Sequence, residues 1–192
     1  MNQPALRFAP ELLLQARGPS AGGLRAAIFD VDGVLTDGRL FIGESGEVFK
    51  AFSVLDGHGL KLLGQVGITP LIITGRDSPA VRRRVADLGL PHAVYGASDK
   101  LAAATPLLQS LNLSWPEVAV IGDDWPDLPL LMRAGFACAP ANAHVEVKAV
   151  VQHITSQRGG EGAAREFCDL LLMATGHYAD VLHSMMRTLD GR

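Results

Sequence analysis

Apolar residues in this 192-residue chain fall into short unbroken runs, separated by stretches where they recur at helical spacing. Leu24-Arg-Ala-Ala-Ile-Phe-Asp-Val-Asp32 is the first run, closed by Gly33. A run without polar alternation suits a strand buried on both faces, as in a parallel sheet. Similar runs recur at Thr69–Thr74, Ala93–Tyr95, Val118–Ile121 and Val150–Ile154. Helical patterns lie between them, at roughly 57–66, 78–89, 99–111, 126–134 and 143–148. This alternation predicts an α/β domain with a central parallel sheet.

Two stretches depart from the alternation. Residues 39–52 read as strand, Gly-bearing turn and strand, a β-hairpin with apolar Leu40, Ile42, Val48 and Phe52. Residues 162–188 read as a helical tail, with Ala163, Phe167, Leu170, Leu171 and Ala174 on one face. The first 24 residues read as an extension with one short helix over Pro10–Arg17 and a breaker cluster, Gly18-Pro-Ser-Ala-Gly-Gly23. The expected organisation is therefore an extension over 1–24, a domain over 25–175 carrying the hairpin, and a tail over 176–192.

Composition narrows the function classes. A net charge of −3 gives no broad attraction to nucleic acid or to an anionic membrane. The basic run Arg82-Arg83-Arg84 reads as a solvated helix face, with substrate or subunit contact as the other option. Cys138 and Cys168 sit in apolar contexts and suggest neither a disulfide framework nor a zinc cluster. The N-terminus lacks the basic start and long apolar run of a signal peptide, and no apolar stretch is long enough to span a bilayer. A cytoplasmic protein is expected.

Candidate chemistry collects at four expected strand ends, where ligands of parallel α/β sheets bind. The first ends in Asp30-Val-Asp32-Gly33, whose two carboxylates alternate onto the same side: one could attack an electrophile while the other moves a proton. The same residues also describe an ordinary strand-ending turn. Thr74-Gly75-Arg76 offers a hydroxyl and backbone N–H groups to a phosphate oxygen, or simply a helix N-cap. Lys100, at an expected helix start, could neutralise a carboxylate and a phosphoryl group together, or be a surface lysine. Gly122-Asp-Asp-Trp-Pro-Asp127 places three carboxylates just after a buried strand, which is costly without a compensating cation or donor. Magnesium, an oxygen-seeking ion that keeps several waters, suits such a site. Together the four form a coherent phosphoryl-transfer set.

On Ile28-Phe-Asp-Val-Asp-Gly-Val-Leu-Thr36, Ile72-Ile-Thr-Gly-Arg76, Lys100 and Val120-Ile-Gly-Asp-Asp-Trp-Pro-Asp127, the chain resembles the haloacid dehalogenase (HAD) superfamily. The resemblance implies a Rossmann-like sheet with helices on both faces. It also implies Asp30 as phosphorylated nucleophile, Asp32 as general acid/base, Thr74 on a phosphoryl oxygen and Lys100 fixing the charges. Mg2+ would be held by Asp30, the backbone carbonyl of Asp32 and Asp123. Asp124 would act through water or from behind these ligands, and Asp127 would share in the site or only support the loop.

Neither the 44 positions from Asp30 to Thr74 nor the 26 from Thr74 to Lys100 hold a folded cap domain, so a neighbouring subunit is one way to cover the site. Asp32-Gly-Val-Leu-Thr-Asp-Gly38, Gly46-Glu-Val-Phe-Lys-Ala-Phe52, Asp56-Gly-His-Gly59 and Gly159-Gly-Glu-Gly-Ala-Ala-Arg-Glu166 resemble the 3-deoxy-D-manno-octulosonate (KDO) 8-phosphate phosphatases. That family implies a homotetramer with hairpins at its centre, a sugar phosphate substrate, and a place in lipopolysaccharide synthesis. Gly75, Arg76, Lys50, His58 and Arg165 are the expected substrate contacts. For the last three, the alternatives are a strand-edge lysine, a turn histidine and a helix ion pair from Arg165 to Asp169. One departure is Leu55, where many members have Arg; Arg76 or Arg158 could compensate. The rival readings are a phosphatase for a nine-carbon sugar acid 9-phosphate and a non-catalytic oligomerisation module. A phosphomutase would need a cap.

Overall fold

The computed structural model describes residues 5–187; the outermost parts of the expected extension and tail, 1–4 and 188–192, lie outside the described residues. Six strands form one parallel sheet. They are β1 (Ala26–Phe29), β4 (Thr69–Ile73), β5 (Ala93–Val94), β6 (Val118–Ile121), β7 (Phe136–Ala139) and β8 (His153–Ile154), in the order β5-β4-β1-β6-β7-β8. The hairpin strands β2 (Phe41–Gly43) and β3 (Gly46–Phe49) pair antiparallel as a separate sheet. The helices are α1 (Pro10–Gln15), α2 (Val54–Gln65), α3 (Pro79–Leu88), α4 (Lys100–Ser110), α5 (Leu128–Leu131), α6 (Val145–Lys148), α7 (Ala163–Ala174) and α8 (Tyr178–Arg187).

Strand β1 shows why the apolar runs lack alternation. All four of its residues are buried. Ala27 and Phe29 face one core with Leu60 and Leu63 of α2, and Phe167 and Leu170 of α7. Ala26 and Ile28 face the other, with Ala104 and Leu108 of α4 and Leu130 of α5. Successive side chains point to opposite faces, so covering both faces with helices demands apolar residues at every position. The order reverses at β1, whose neighbours are β4 and β6. That makes the carboxyl end of β1 a switch point, where a crevice opens.

Three elements differ from the expectation. Strand β7 escapes a hydrophobic-run reading because Phe-Ala-Cys-Ala contains no β-branched residue; all four positions are nonetheless buried between β6 and β8. The expected tail helix is two helices, α7 and α8, broken at Gly176, where φ is +82°. The helix expected over 126–134 is shorter: Trp125–Asp127 form a 3-10 turn, and α5 follows. Among the described residues no helix is long and apolar enough to cross a membrane.

The segment after β8 crosses back over the loop that follows β1 as a strap. Glu166, in the first turn of α7, accepts from the Ser156 amide (3.0 Å to each oxygen), the Ser156 hydroxyl (2.7 Å) and the Gln157 amide (3.2 Å). His153 lies 3.3 Å away. Burial alone would raise the Glu166 carboxyl, but the hydrogen bonds from His153, Ser156 and Gln157 outweigh it and hold it at about 2. Its folded pKa is therefore depressed. The stabilisation is complete above the unfolded value, roughly 4.3, and is lost as pH falls from there through about 2. Glu166→Gln is expected to cost about 2 kcal/mol at pH 7. Melting curves of both proteins from pH 7 to 3 check this: the gap in Tm should narrow below about pH 4.5. A gap independent of pH would exclude the charge as its source.

Candidate active site

Four strand ends converge. Asp30 follows β1, and its amide donates to the Ile121 carbonyl of β6 at 3.2 Å. Thr74 follows β4, and Asp123 follows β6 after Gly122. Lys100 is the first residue of α4, whose N-cap Asp99 accepts from the Ala102 amide at 3.0 Å. A cleft of about 400 Å³ is lined by Asp30, Asp32, Thr74, Gly75, Arg76, Lys100, Asp123, Asp124 and Asp127, with Gly38, Leu40 and Pro126.

At its floor the Lys100 ammonium bridges two buried carboxylates, at 2.6 Å from Asp30 Oδ1 and 2.6 Å from Asp127 Oδ1. The other Asp127 oxygen accepts from the amides of Asp123 (3.1 Å) and Asp124 (3.3 Å). Asp127 thus fixes the lysine and shapes the acidic loop at once, a larger part than loop support. The three-residue spacing from Asp124 to Asp127, that of a capping box, is the local signal for the second task. Nothing local signals the first.

Carboxylate oxygens of Asp30, Asp123 and Asp127 lie within 4.8 Å of one another. Three carboxylates share one ammonium, and their protonation reflects it. Burial first, then the facing Asp30 and Asp127, push Asp123 up to about 8. Asp30 rises to about 6 through burial and Asp127, against the opposing pull of Lys100. An all-oxygen cluster with excess negative charge is a donor set that fits a hard divalent cation. Asp124 is exposed at the rim.

Two glycines permit the close approaches. Gly33 has φ +100°, and a Cβ there would stand 2.1 Å from Asp123 Oδ2. Gly159, on the strap, lies so close that its Cβ would stand 1.7 Å from the Gly33 carbonyl oxygen. The Gly159 amide donates to Asn142 Oδ1 at 2.7 Å, and the Gly160 amide to the Val34 carbonyl at 2.9 Å. Thr36 closes the turn from within, its hydroxyl 3.3 Å from the Val31 carbonyl and accepting from the Gly38 amide at 3.2 Å.

Asp32 stands above Asp30, with Oδ2 3.7 Å from Arg76 Nε; the Arg76 side chain is 57% exposed at the mouth. Three expected substrate contacts, Lys50, His58 and Arg165, lie outside the cleft lining in this chain. Lys50 does not line the cleft: its ammonium is enclosed behind Asp32, bonded to that carboxylate and, at 3.0 Å, to Glu47. His58 is exposed on α2, on the side of Asp169. Arg165 forms the helix ion pair, with Nε 2.9 Å from each Asp169 oxygen, and with Leu55 it lines a separate groove. The Arg158 side chain is exposed.

Comparison with known proteins gives these positions a family. Residues 94–167 match the haloacid dehalogenase-like hydrolase family. The KDO 8-phosphate phosphatase KdsC of Escherichia coli K12 is 43% identical over 156 residues, 81% of this chain and 83% of that protein. The crystal structure of the corresponding phosphatase from Moraxella catarrhalis, in complex with magnesium, phosphate and KDO, superposes with a TM-score of 0.85 at 38% identity. It covers 93% of this chain and 99% of that one. The cobalt-bound Haemophilus influenzae phosphatase gives a TM-score of 0.80 at 40% identity, over 85% of this chain and 93% of that one. A divalent cation therefore accompanies this fold in these two relatives, and the acidic cluster here is a donor set that fits one. With the sheet, the cleft and the identity in agreement, the chain belongs to the KdsC family of haloacid dehalogenase-like phosphoric monoester hydrolases.

Proposed function

We propose that this protein hydrolyses KDO 8-phosphate to KDO and inorganic phosphate through a phosphorylated Asp30. The observation that carries the reading is the Lys100 ammonium held 2.6 Å from both Asp30 and Asp127, with Asp123 facing them at the switch point of the sheet. Lys100 is neutralised on one side by Asp127, which keeps it in place when Asp30 gives its charge to a bond with phosphorus. Mg2+, held by Asp30, Asp123 and the Asp32 carbonyl, would offset charge on the transferring oxygens.

In the first step a lone pair of Asp30 forms a bond to phosphorus, and the bond from phosphorus to the sugar oxygen breaks. That oxygen takes a proton from Asp32, and the sugar acid leaves as an alcohol. In the second step Asp32 removes a proton from water, the hydroxide oxygen bonds to phosphorus, and the bond to Asp30 breaks. Inorganic phosphate departs with Asp30 restored as a carboxylate and Asp32 reprotonated. Thr74, buried at the floor, offers its hydroxyl to a phosphoryl oxygen, and Gly75 offers its backbone. Arg76, charged and exposed at the mouth, suits the carboxylate of the sugar acid.

The hairpin carries exposed Phe41, Ile42, Val48 and Phe49, with the two Phe rings stacked at 4.3 Å. Such a patch supports a homotetramer in which hairpins meet and neighbouring chains cover the capless cleft. Phosphate release from KDO 8-phosphate and from a nine-carbon sugar acid 9-phosphate tests the substrate. We expect kcat/KM at least ~10-fold higher for the eight-carbon compound, about the discrimination a few pocket contacts provide. Equal or better turnover of the nine-carbon compound would overturn the assignment.

A further inference from the structure

The hairpin does more than present an apolar patch. Its last strand leads directly into Lys50, whose side chain is only 1% exposed. The ammonium faces two carboxylates, Asp32 Oδ1 and Glu47 Oε2. Glu47 Oε1 in turn accepts from the Ser78 hydroxyl at the start of α3. Asp32, Lys50, Glu47 and Ser78 thus form a continuous strut. It runs from the nucleophile loop through the hairpin to the element that follows Thr74.

We propose that Lys50 is a positioning residue: it locks the Asp32 carboxylate by its Oδ1 atom, so that Oδ2 is the oxygen that exchanges the proton with leaving group and water. This rests on the reading of Asp32 as the acid/base. A carboxylate beyond the end of a strand has free rotation about two side-chain bonds, and proton transfer requires it within hydrogen-bond reach of the reacting oxygen. A charge-assisted bond to a buried ammonium removes that freedom. The ammonium is itself fixed by Glu47, and Glu47 by Ser78. Asp32 lines the cleft, and its Oδ2 lies 3.7 Å from Nε of the exposed Arg76. Lys50 lies outside the cleft lining, so its effect reaches the reaction through Asp32 rather than through substrate. The core sheet holds the nucleophile, whereas the hairpin orients the proton carrier.

The two half-reactions separate this role from a structural or binding one. With p-nitrophenyl phosphate the leaving group departs without a proton, so phosphorylation of Asp30 does not need Asp32, whereas water attack does. Rapid mixing of Lys50→Met with this substrate should release a burst of nitrophenol near one equivalent per chain. Steady turnover should then be ~10- to 100-fold slower than in the parent protein. With an alkyl sugar phosphate the burst should be absent, and kcat should fall by a similar factor while KM moves by less than about 3-fold. Glu47→Gln, which loosens the same strut, should show the same burst with a smaller loss, and it decides the matter if Lys50→Met does not fold. A raised KM at unchanged kcat, a burst slowed as much as turnover, or no change in either variant would overturn the proposal. Asp30→Asn serves as the separating control: a burst surviving in that variant would defeat the nucleophile reading itself.

Discussion

Asp30→Asn is expected to lower kcat by ~10⁴-fold or more while the protein melts at the same or a higher temperature. The activity loss follows from chemistry: an amide oxygen lacks the charge to form the bond to phosphorus. The stability follows from the cluster. Asp30 is buried, and its carboxyl is raised to about 6 by that burial and by Asp127, which Lys100 only partly offsets. Replacing it by an isosteric neutral group removes one of three crowded carboxylates. Lys100 keeps its partner in Asp127 at 2.6 Å, so no buried charge is orphaned. The proposed nucleophile is thus a poor contributor to stability, as expected where function is built from crowded charge. Phosphate release together with a melting curve checks both halves. Retained turnover would exclude the nucleophile; a large drop in Tm would exclude the account of the crowding.

The same cluster shows how far a sequence can be read. Asp30, Thr74, Lys100 and Asp123 were legible because each ends or begins an element, and the apolar runs of β1, β4 and β6 mark where those elements stop. A parallel sheet then brings the ends together without further information. Asp127 was half legible: its spacing from Asp124 signals a cap, but its bond to Lys100, 27 residues earlier, leaves no local trace. Lys50 was expected as a substrate contact through the family resemblance, with a strand-edge lysine as the alternative. Its burial between Asp32 and Glu47 depends on where the hairpin folds down, which periodicity does not encode. Strand β7 was hidden for a different reason. In a slot between two strands and under two helix layers, small Ala and Cys side chains serve, and propensity yields to packing. Leu55, whose loss of a cation looked relevant to substrate, sits in the groove with Arg165, away from the cleft.

Gly159→Ala should be the most damaging single methyl group in the protein. The strap after β8 presses Gly159 against the loop that follows β1, and the added Cβ would stand 1.7 Å from the Gly33 carbonyl oxygen and 2.9 Å from that of Thr36. Both obstacles are backbone, so no side-chain rotation relieves them. The loop cannot retreat either. Gly33 carries φ +100° and lies against the Asp123 carboxylate, while Thr36 is buried and ties the turn together. The strap is held from its other side by Asn142 and by the Glu166 bonds to Ser156 and Gln157. Accommodation therefore requires breaking the Gly159–Asn142 bond, lifting the strap or displacing the Asp30–Asp32 turn. The cost is about 3–5 kcal/mol, the range of severe overpacking. At roughly 2–4 °C per kcal/mol for a chain of this size, Tm should fall by about 10 °C. Activity should fall as well, because the displaced turn carries both Asp30 and Asp32, and a shift of about 1 Å at such a site costs ~10²-fold. Gly160→Ala, two atoms further along the same contact, should behave similarly, whereas Gly67→Ala, with nothing within 4 Å of its Cβ, should lose only the strain of its φ of +84°. Melting and phosphate release measured on the three variants check the ordering. A Gly159→Ala protein as stable and active as the parent would mean that the strap does not bear on the Asp30–Asp32 loop.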